Sequence, residues 1–312
     1  MRDILSLLEL WHYCIRTNNF GNMKLLSKVR KIKREKGLSS FQTVIDSKFG
    51  LGKVECLLNI NWFNPFLTIW LNFRSLPLKK AVFLPVWVYG RPRIYSLSGN
   101  IEIVGKIKSG MIKFNVSIPG GPSLGSFQSE LFNLGMIRFN GRGRIGAGTK
   151  IFVSYNGILK IGNNFNITNM VNIGCMESIE IGAQLSLTHR CQIFDSNYHY
   201  IGDFKRRFVR QRTRPIKIGN GCWICNSSTI TPGSFLPDFT IVASNSLVNS
   251  SINNVPENSI IGGQPAKLIS TGYRRIYGSL YNRKLNEYYA ESNAAFVMPD
   301  DWTMDKCSNY NF

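Results

Sequence analysis

Ile216-Lys217-Ile218-Gly219-Asn220-Gly221-Cys222-Trp223-Ile224-Cys225-Asn226-Ser227-Ser228-Thr229-Ile230 is the stretch that decides the fold. Within it Ile218, Ile224 and Ile230 recur every six residues, and Leu236 continues the series. A helix turns about 100° per residue, so six residues do not return to one face, and strict alternation does not single out every sixth position. A prism with short flat sides does. On each side the aliphatic residue points inward. A small residue four positions later (Cys222, Ser228, Ser234, Thr240) shares the narrow interior. Glycine relieves crowding near a corner. Three sides make a coil of about 18 residues, and coils stack about 4.8 Å apart, the spacing of paired strands. No coil buries its own apolar face, so neighbours must stack.

The same interval extends outward in both directions. Ile145 leads to Ile151, Ile161 to Ile167 and Ile173, Ile181 to Leu187 and Ile193, and Ile241 to Leu247. Glycine follows the aliphatic residue at Gly146, Gly162, Gly174, Gly182 and Gly219, and Thr149 takes the small position. Read this way, the register slips by two between Ile173 and Ile181 and by one between Leu236 and Ile241. A weaker series, Ile101 to Ile107 and Ile112 to Ile118, starts the coils near residue 95. Pro119-Gly120-Gly121-Pro122 reads as a turn, because no helical pattern follows it. The expected organisation is a basic N-terminal segment and aromatic cap over 1–94, coils over 95–270 interrupted by a loop at 196–215, and a tail over 271–312. A helix is expected over 279–292, and one or two short helices within 1–55.

The net charge of +20 over 312 residues favours a polyanionic partner. No helix-turn-helix, zinc finger or RNA-binding signature accompanies it, which argues against nucleic acid. Charge is dense at Lys28, Arg30, Lys31, Lys33, Arg34 and Lys36, and again in the loop at Lys205, Arg206, Arg207, Arg210, Arg212 and Arg214. Residues 59–89 mix Trp62, Phe63, Phe66, Trp70, Phe73, Phe83, Trp87 and Tyr89 with Arg74, Lys79 and Lys80. Two readings fit these aromatics: they cover the open end of the coils, or they rest at the headgroups of an anionic membrane. No run of about 18 apolar residues exists, so no membrane-spanning helix is expected. The N-terminus lacks a small-residue cleavage site, and seven scattered cysteines fit reduced thiols in a cytosol. The expected location is cytoplasmic, with peripheral contact at the inner face of the membrane.

Three blocks follow one another in the second half: Asp195-Ser196-Asn197-Tyr198-His199, Pro215-Ile216-Lys217-Ile218-Gly219 through Trp223-Ile224, and Ile261-Gly262-Gly263-Gln264-Pro265-Ala266-Lys267. In this order they resemble the hexapeptide-repeat acyltransferases, the family of galactoside, maltose and serine acetyltransferases. Asn72-Phe73-Arg74-Ser75-Leu76-Pro77-Leu78, with Gly99-Asn100-Ile101-Glu102-Ile103, is similar to a subgroup found in bacterial surface-polysaccharide gene sets. The resemblance implies an all-β chain folded as a left-handed parallel β-helix, with an N-terminal helical and aromatic cap and a short C-terminal helix. It also implies a homotrimer with active sites between subunits. The implied activity is transfer of an acetyl group from acetyl-CoA to a hydroxyl of a sugar or lipid-linked glycan precursor, with no metal.

Acyl transfer to a hydroxyl needs a base, an oxyanion site and alignment of both substrates. Histidine suits the first task. Of three histidines, His199 occupies the family's catalytic position. Asp195, four residues earlier, is placed to steady its imidazolium, or simply to shape a turn. His189 is expected to face solvent or a neighbouring subunit, and His12 lies outside the repeat. By the resemblance, Trp223, Cys225, Ala243, Ser244, Gly263, Pro265, Ala266 and Lys267 border the coenzyme, with Arg274 and Arg275 as further candidates for its phosphates. Thr168 stands where relatives place an acceptor-binding asparagine, with Asn169 beside it. Asn197, Arg206 and Arg207 complete the substrate side. Cys225 and Asn245 replace glycines usual in the family, which narrows the expected pantetheine path. Cys222-Trp223-Ile224-Cys225 is formally C-x-x-C, yet no helix start or second cysteine pair supports a redox or zinc role.

A carbonic anhydrase of similar fold would need three histidines on a metal, and a nucleotidyltransferase would need a glycine-rich nucleotide fold before the coils. Neither pattern is present. A non-catalytic β-helix scaffold and a sugar N-acetyltransferase remain as alternatives to O-acetylation.

Overall fold

The computed structural model describes residues 62–117 and 127–308. The expected helices within 1–55, the basic run from Lys28 to Lys36, Ile118 and the Pro119–Pro122 turn lie outside the described residues.

Within the described residues the period of six becomes three sheets of nine, seven and six strands, in which each strand pairs in parallel with its counterpart one coil away, except that the last strand of the nine, Ala266–Thr271, returns antiparallel along Ser259–Gly263. Every sheet contributes at least one inward ladder. In the nine-stranded sheet it runs Phe114, Ile145, Ile167, Leu187, Ile224, Val242 and Ile261. In the seven-stranded sheet it runs Leu131, Ile151, Ile173, Ile193, Ile230 and Val248. In the six-stranded sheet it runs Ile103, Phe139, Ile161, Ile181, Ile218 and Leu236. All are buried. Each such side chain contributes about 1.5–3 kcal/mol by leaving water. The fold is the parallel β-helix expected, and Thr149, Cys222, Ser228, Ser234 and Thr240 are buried inside it as the small-residue positions predict.

The two expected register slips resolve differently. Ile179 sits six residues after Ile173 and is buried, and Ile181 is buried two positions further along the same strand. Strands of four residues there point two side chains inward. The expected slip before Ile241 does not occur. Val242 and Val248 keep the interval from Leu236, whereas Ile241 is half-buried and Leu247 is exposed on the outer face. Adjacent residues of a strand face opposite ways, so only one of each aliphatic pair enters the core.

Coil length varies. Trp223 pairs with Ile241 and Thr229 with Leu247, a step of 18 residues. Asn166 pairs with Ser186 after 20 residues, and Asn172 with Lys150 across 22. Gln192 pairs with Thr229 after 37, which adds the loop to one ordinary coil without shifting the register. At Gly182 a Cβ would come within 2.6 Å of the Asn220 nitrogen on the next coil, so a side chain is excluded by the stacking itself.

A helix, α1 (Pro65–Ser75), with Asn64 as its N-cap, lies at the start of the coils, followed by the short α2 (Leu78–Ala81). The buried residues of α1 are Thr68, Leu71 and Asn72; Asn72 Nδ2 donates to the Val86 carbonyl and its Oδ1 accepts the Val86 amide, tying the helix to the first strand. Phe66, Ile69, Trp70 and Phe73 are exposed. The aromatics of α1 therefore do not form the cover; Leu71, Leu76 and Ala81 join the core instead. The C-terminal helix, α3 (Ser279–Glu291), forms where expected. No helix among the described residues is long and apolar enough to cross a membrane.

Candidate active site

The seven-stranded sheet is flanked by two corners, and the candidate residues divide between them. Thr168, Asn169, His189, Cys225, Ala243 and Ser244 lie at the corner where the chain enters that sheet. Asp195, Asn197 and His199 lie where it leaves.

At the exit corner Asp195 is fully buried. Its Oδ1 accepts the Met176 amide at 2.7 Å, and its Oδ2 accepts those of Glu177 and Ser178 at 2.9 and 2.8 Å. Burial raises its carboxyl above the ordinary value, and these three amides offset only part of that rise. The turn role is the one the geometry displays; its described bonds go to the corner one coil below, with none to His199. Asp195 also fixes the loop: its carbonyl accepts the Arg214 amide at 2.9 Å, and the Asn197 amide reaches the Arg212 carbonyl at 2.9 Å. Ser196 and Thr213 form an antiparallel bridge. The loop is thus zipped at its root and continues as a hairpin of Ile201–Asp203 against Phe208–Arg210.

His199 follows a tight turn in which its own amide bonds the Asn197 carbonyl and Tyr198 adopts a positive φ of 60°. The Tyr198 ring rests edge-on against Phe194, with centroids 6.0 Å apart. Gly174 lies beneath both; a Cβ there would meet the Tyr198 hydroxyl at 2.5 Å. His199 itself is exposed. His189 is buried within the chain, which leaves the neighbouring subunit of the two expected surroundings, and burial followed by the nearby Arg190 lowers its pKa from 6.5. Arg206 and Arg207 occupy the hairpin tip, where the Arg206 amide bonds Asp203 Oδ1. They stand apart from the loop root, where Arg212 lies with its guanidinium 5.3 Å from the Tyr200 ring centre.

At the entry corner, Cys225, Ala243 and Gly262 stack on consecutive coils: the Cys225 amide bonds the Val242 carbonyl and the Ala243 amide bonds that of Ile261. Ser244 Oγ reaches Asn226 Oδ1 at 2.7 Å. Gly263 and Ala266 pair across the turn that holds Pro265, with Lys267 exposed on the returning strand. Gly263 has a φ of 102°, and a Cβ there would meet only the Pro265 carbonyl oxygen, leaving open space above the turn. Cys222 is fully buried and its thiol is pushed up to about 12, while burial also raises Cys225, so neither is a ready thiolate.

Two expected phosphate contacts are turned inward. Arg274 lies over the Phe239 ring at 3.6 Å and pairs with Asp305 at 3.0 Å. Arg275 lies 4.5 Å above the Trp223 ring centre and donates to Ser186 Oγ at 2.7 Å. The tail thus folds back on the outer face of the nine-stranded sheet, and Trp223 carries an arginine of its own chain.

No family model matches the chain. Among characterised proteins, the chain is 27% identical over 154 residues to WbbJ of Escherichia coli (strain K12), a candidate lipopolysaccharide biosynthesis O-acetyl transferase by its name. The match covers 46% of this chain and 76% of WbbJ. Over just under half its length the chain is similar to an acetyltransferase. Among solved structures, the polySia-specific acetyltransferase NeuO is 16% identical, covers 63% of this chain and 80% of its own, and has a TM-score of 0.39. The hexapeptide-repeat acetyltransferase VCA0836 of Vibrio cholerae is 26% identical over 36% of this chain and 61% of its own, at a TM-score of 0.31. At such scores the superposition is partial, and the architecture rests on the ladders above. Sequence reasoning missed Gly174, which leaves room for the Tyr198 ring and had only its place after Ile173 as a signal.

Proposed function

We propose that the chain transfers an acetyl group from acetyl-CoA to a hydroxyl of a sugar or surface-polysaccharide precursor. The observation that carries this reading is the contrast between the two histidines of the described residues: His189 is buried, and His199 is exposed at the root of a braced loop. His199 takes the hydroxyl proton as the sugar oxygen attacks the thioester carbonyl; the thiolate of CoA departs and recovers a proton. Asp195 acts on this step by positioning the loop. Trp223, Cys225, Ala243, Ser244, Gly263, Pro265, Ala266 and Lys267 border the donor. Trp223 Nε1 is buried without a partner, a donor available to that substrate.

The site is completed between subunits of a homotrimer, because the donor corner and the His199 corner lie at opposite edges of one sheet. At the donor corner Thr168 Oγ1, Asn169 Oδ1 and His189 Nδ1 are buried without partners, as groups awaiting a neighbouring chain. Sedimentation that yields a species of one chain's mass would remove the shared site. His199→Ala is expected to lower turnover about 100-fold, the scale of losing a general base, with acetyl-CoA affinity retained. Near-normal turnover in a steady-state assay would place the base elsewhere.

Acceptors carried on lipid would bring the enzyme to the cytosolic membrane face. Phe66, Ile69, Trp70 and Phe73 form one exposed apolar stripe on α1, with Arg74, Lys79 and Lys80 close by in sequence. Sedimentation with anionic vesicles but not neutral ones is expected, and equal binding to both, or to neither, refutes the contact.

A further inference from the structure

The outer faces of the three sheets treat charge differently. On the six-stranded sheet the outward ladder runs Glu102, Arg138, Lys160, Glu180 and Lys217, so every cation has an acid on an adjacent strand. The seven-stranded sheet sets Glu130 between Arg93 and Lys150. On the nine-stranded sheet Lys113 instead has Trp87 on one side and Arg144 on the other. Like charges opposite one another on neighbouring strands repel. Arg142 lies two residues before Arg144, and Lys108 opens the turn that leads into the strand Ile112–Val116. Among the described residues Lys108, Lys113 and Arg142 form no ion pair. These four cations surround a cavity of about 330 Å³, within the size range of ligand pockets of roughly 300–1,000 Å³. The described residues that line it include no acid. We propose that this cavity binds a pyrophosphate-type anion, an assignment that goes beyond the acetyl-transfer reading and does not depend on it.

The walls are built for such a ligand as well as charged for it. Arg142 Nε donates to Asn164 Oδ1 and Arg144 Nε to Asn166 Oδ1, each at 2.7 Å, and both asparagines are buried on the next coil. A guanidinium held through Nε has its plane fixed in advance. In Arg142 this leaves the terminal nitrogens for a ligand, the fork that matches paired phosphate oxygens. The turn carrying Lys108 is braced too. Gly110 has a φ of 63° and lies so close to Trp87 that a Cβ would come within 2.6 Å of the ring. Trp87 Nε1 donates to Ser109 Oγ at 3.2 Å. Ser109 also lines the cavity, and with its oxygen accepting from Trp87, its own hydrogen is left for a ligand oxygen. Pre-ordering of this kind limits the entropy lost on binding.

None of the residues assigned to the donor or to the surroundings of His199 lines this cavity. Trp223 lies on the same outward ladder, but three strands beyond Arg144, after Asn166 and Ser186, and Arg275 covers it. A free pyrophosphate and the phosphates of a lipid headgroup offer the same chemistry to these cations. The lipid source has a structural link: Trp87 belongs to the strand Val86–Val88, which Asn72 ties to α1 and its exposed apolar stripe.

The test uses the full chain, inorganic pyrophosphate without magnesium, and lipid vesicles as probes. Calorimetric titration should show saturable pyrophosphate binding. Lys113→Gln and Arg142→Gln should each weaken it about tenfold, the scale of one charge-assisted contact. Both side chains are exposed, so the melting curves of the unliganded variants should match the wild type. Lys160→Gln and Lys217→Gln, on the acid-paired six-stranded face, should bind as the wild type does. Vesicles separate the two sources. Binding to phosphatidic acid but not to phosphatidylcholine, weakened by Lys113→Gln and competed by pyrophosphate, upholds the site and assigns it to a lipid headgroup. Calorimetric binding that depends on Lys113, with vesicle binding that does not, upholds it for a free ligand. Absence of binding by both probes, or binding that Lys113→Gln and Arg142→Gln retain at wild-type strength, overturns the site. Equal losses in the Lys160 and Lys217 variants overturn it as well, by reducing the effect to general attraction to a basic chain. Displacement of pyrophosphate by CoA at concentrations that saturate the donor site overturns it too, by giving the cavity to the donor.

Discussion

Where the chain leaves the seven-stranded sheet, Asp195 is buried with both oxygens filled by three amides. Where it enters the same sheet, Asn169 and His189 are equally buried, yet Asn169 Oδ1 and His189 Nδ1 have no partner. The two corners rest on the same core and are separated by one short strand. They differ in whether the polar atoms are satisfied within the chain. The satisfied corner supports an inserted loop and a reactive side chain. The unsatisfied corner has bonding capacity that a single copy of the chain does not use. Burial alone therefore does not tell a structural polar group from one reserved for a partner; the count of its bonds does.

This contrast makes unequal demands on mutants. Asp195→Ala strips the acceptor from three part-buried amides, each worth up to about 1–3 kcal/mol when left unsatisfied, so a loss of about 2–3 kcal/mol is expected. Asn169→Ala removes an oxygen that bonds nothing in the single chain, and should cost less than about 1 kcal/mol on that account. Urea unfolding of both variants compares them directly. Equal costs would dissolve the distinction between the corners.

A smaller effect sharpens it through pH. His189 has a folded pKa lowered from 6.5 by burial and by Arg190, so the fold holds it neutral. The unfolded chain binds a proton near 6.5 that the folded chain resists. Its contribution to stability is fully present above that pH and is lost as pH falls towards the lowered folded value. His189→Gln should flatten this part of the stability profile, measured by melting temperature from pH 7.5 to 5.5. A slope that persists in the variant assigns it to other groups.

Much of this was legible in the sequence. The interval of six gave the prism, its small-residue positions and the place of the loop, because a core with one narrow interior admits only certain side chains at fixed spacing. The errors fall where local sequence offers two equal choices. Ile241-Val242 and Leu247-Val248 are both doubly aliphatic, and only the continued interval from Leu236 shows which member enters. The orientation of Asp195 was not legible, because its partners are amides from the coil below, reached only when the coils stack. Glu177 had no motif, for its amide meets Asp195 only when the coils stack. Arg274 and Arg275 read as candidates for the coenzyme's phosphates because nothing local announces that Phe239 and Trp223 will lie under them.

The step of 37 residues from Gln192 to Thr229, against 18 from Thr229 to Leu247, has a consequence for how such a protein can change. The ladder above the insertion resumes in the same register as the ladder below it. A corner can therefore export a hairpin of almost any length and the sides do not notice. Recognition is then interchangeable: exchanging residues 196–214 for a loop of different length and chemistry would recast the surroundings of His199 while Ile193 still stacks on Ile230. In such a molecule the choice of substrate can drift quickly through one exchangeable part, while the frame that supports it is inherited unchanged.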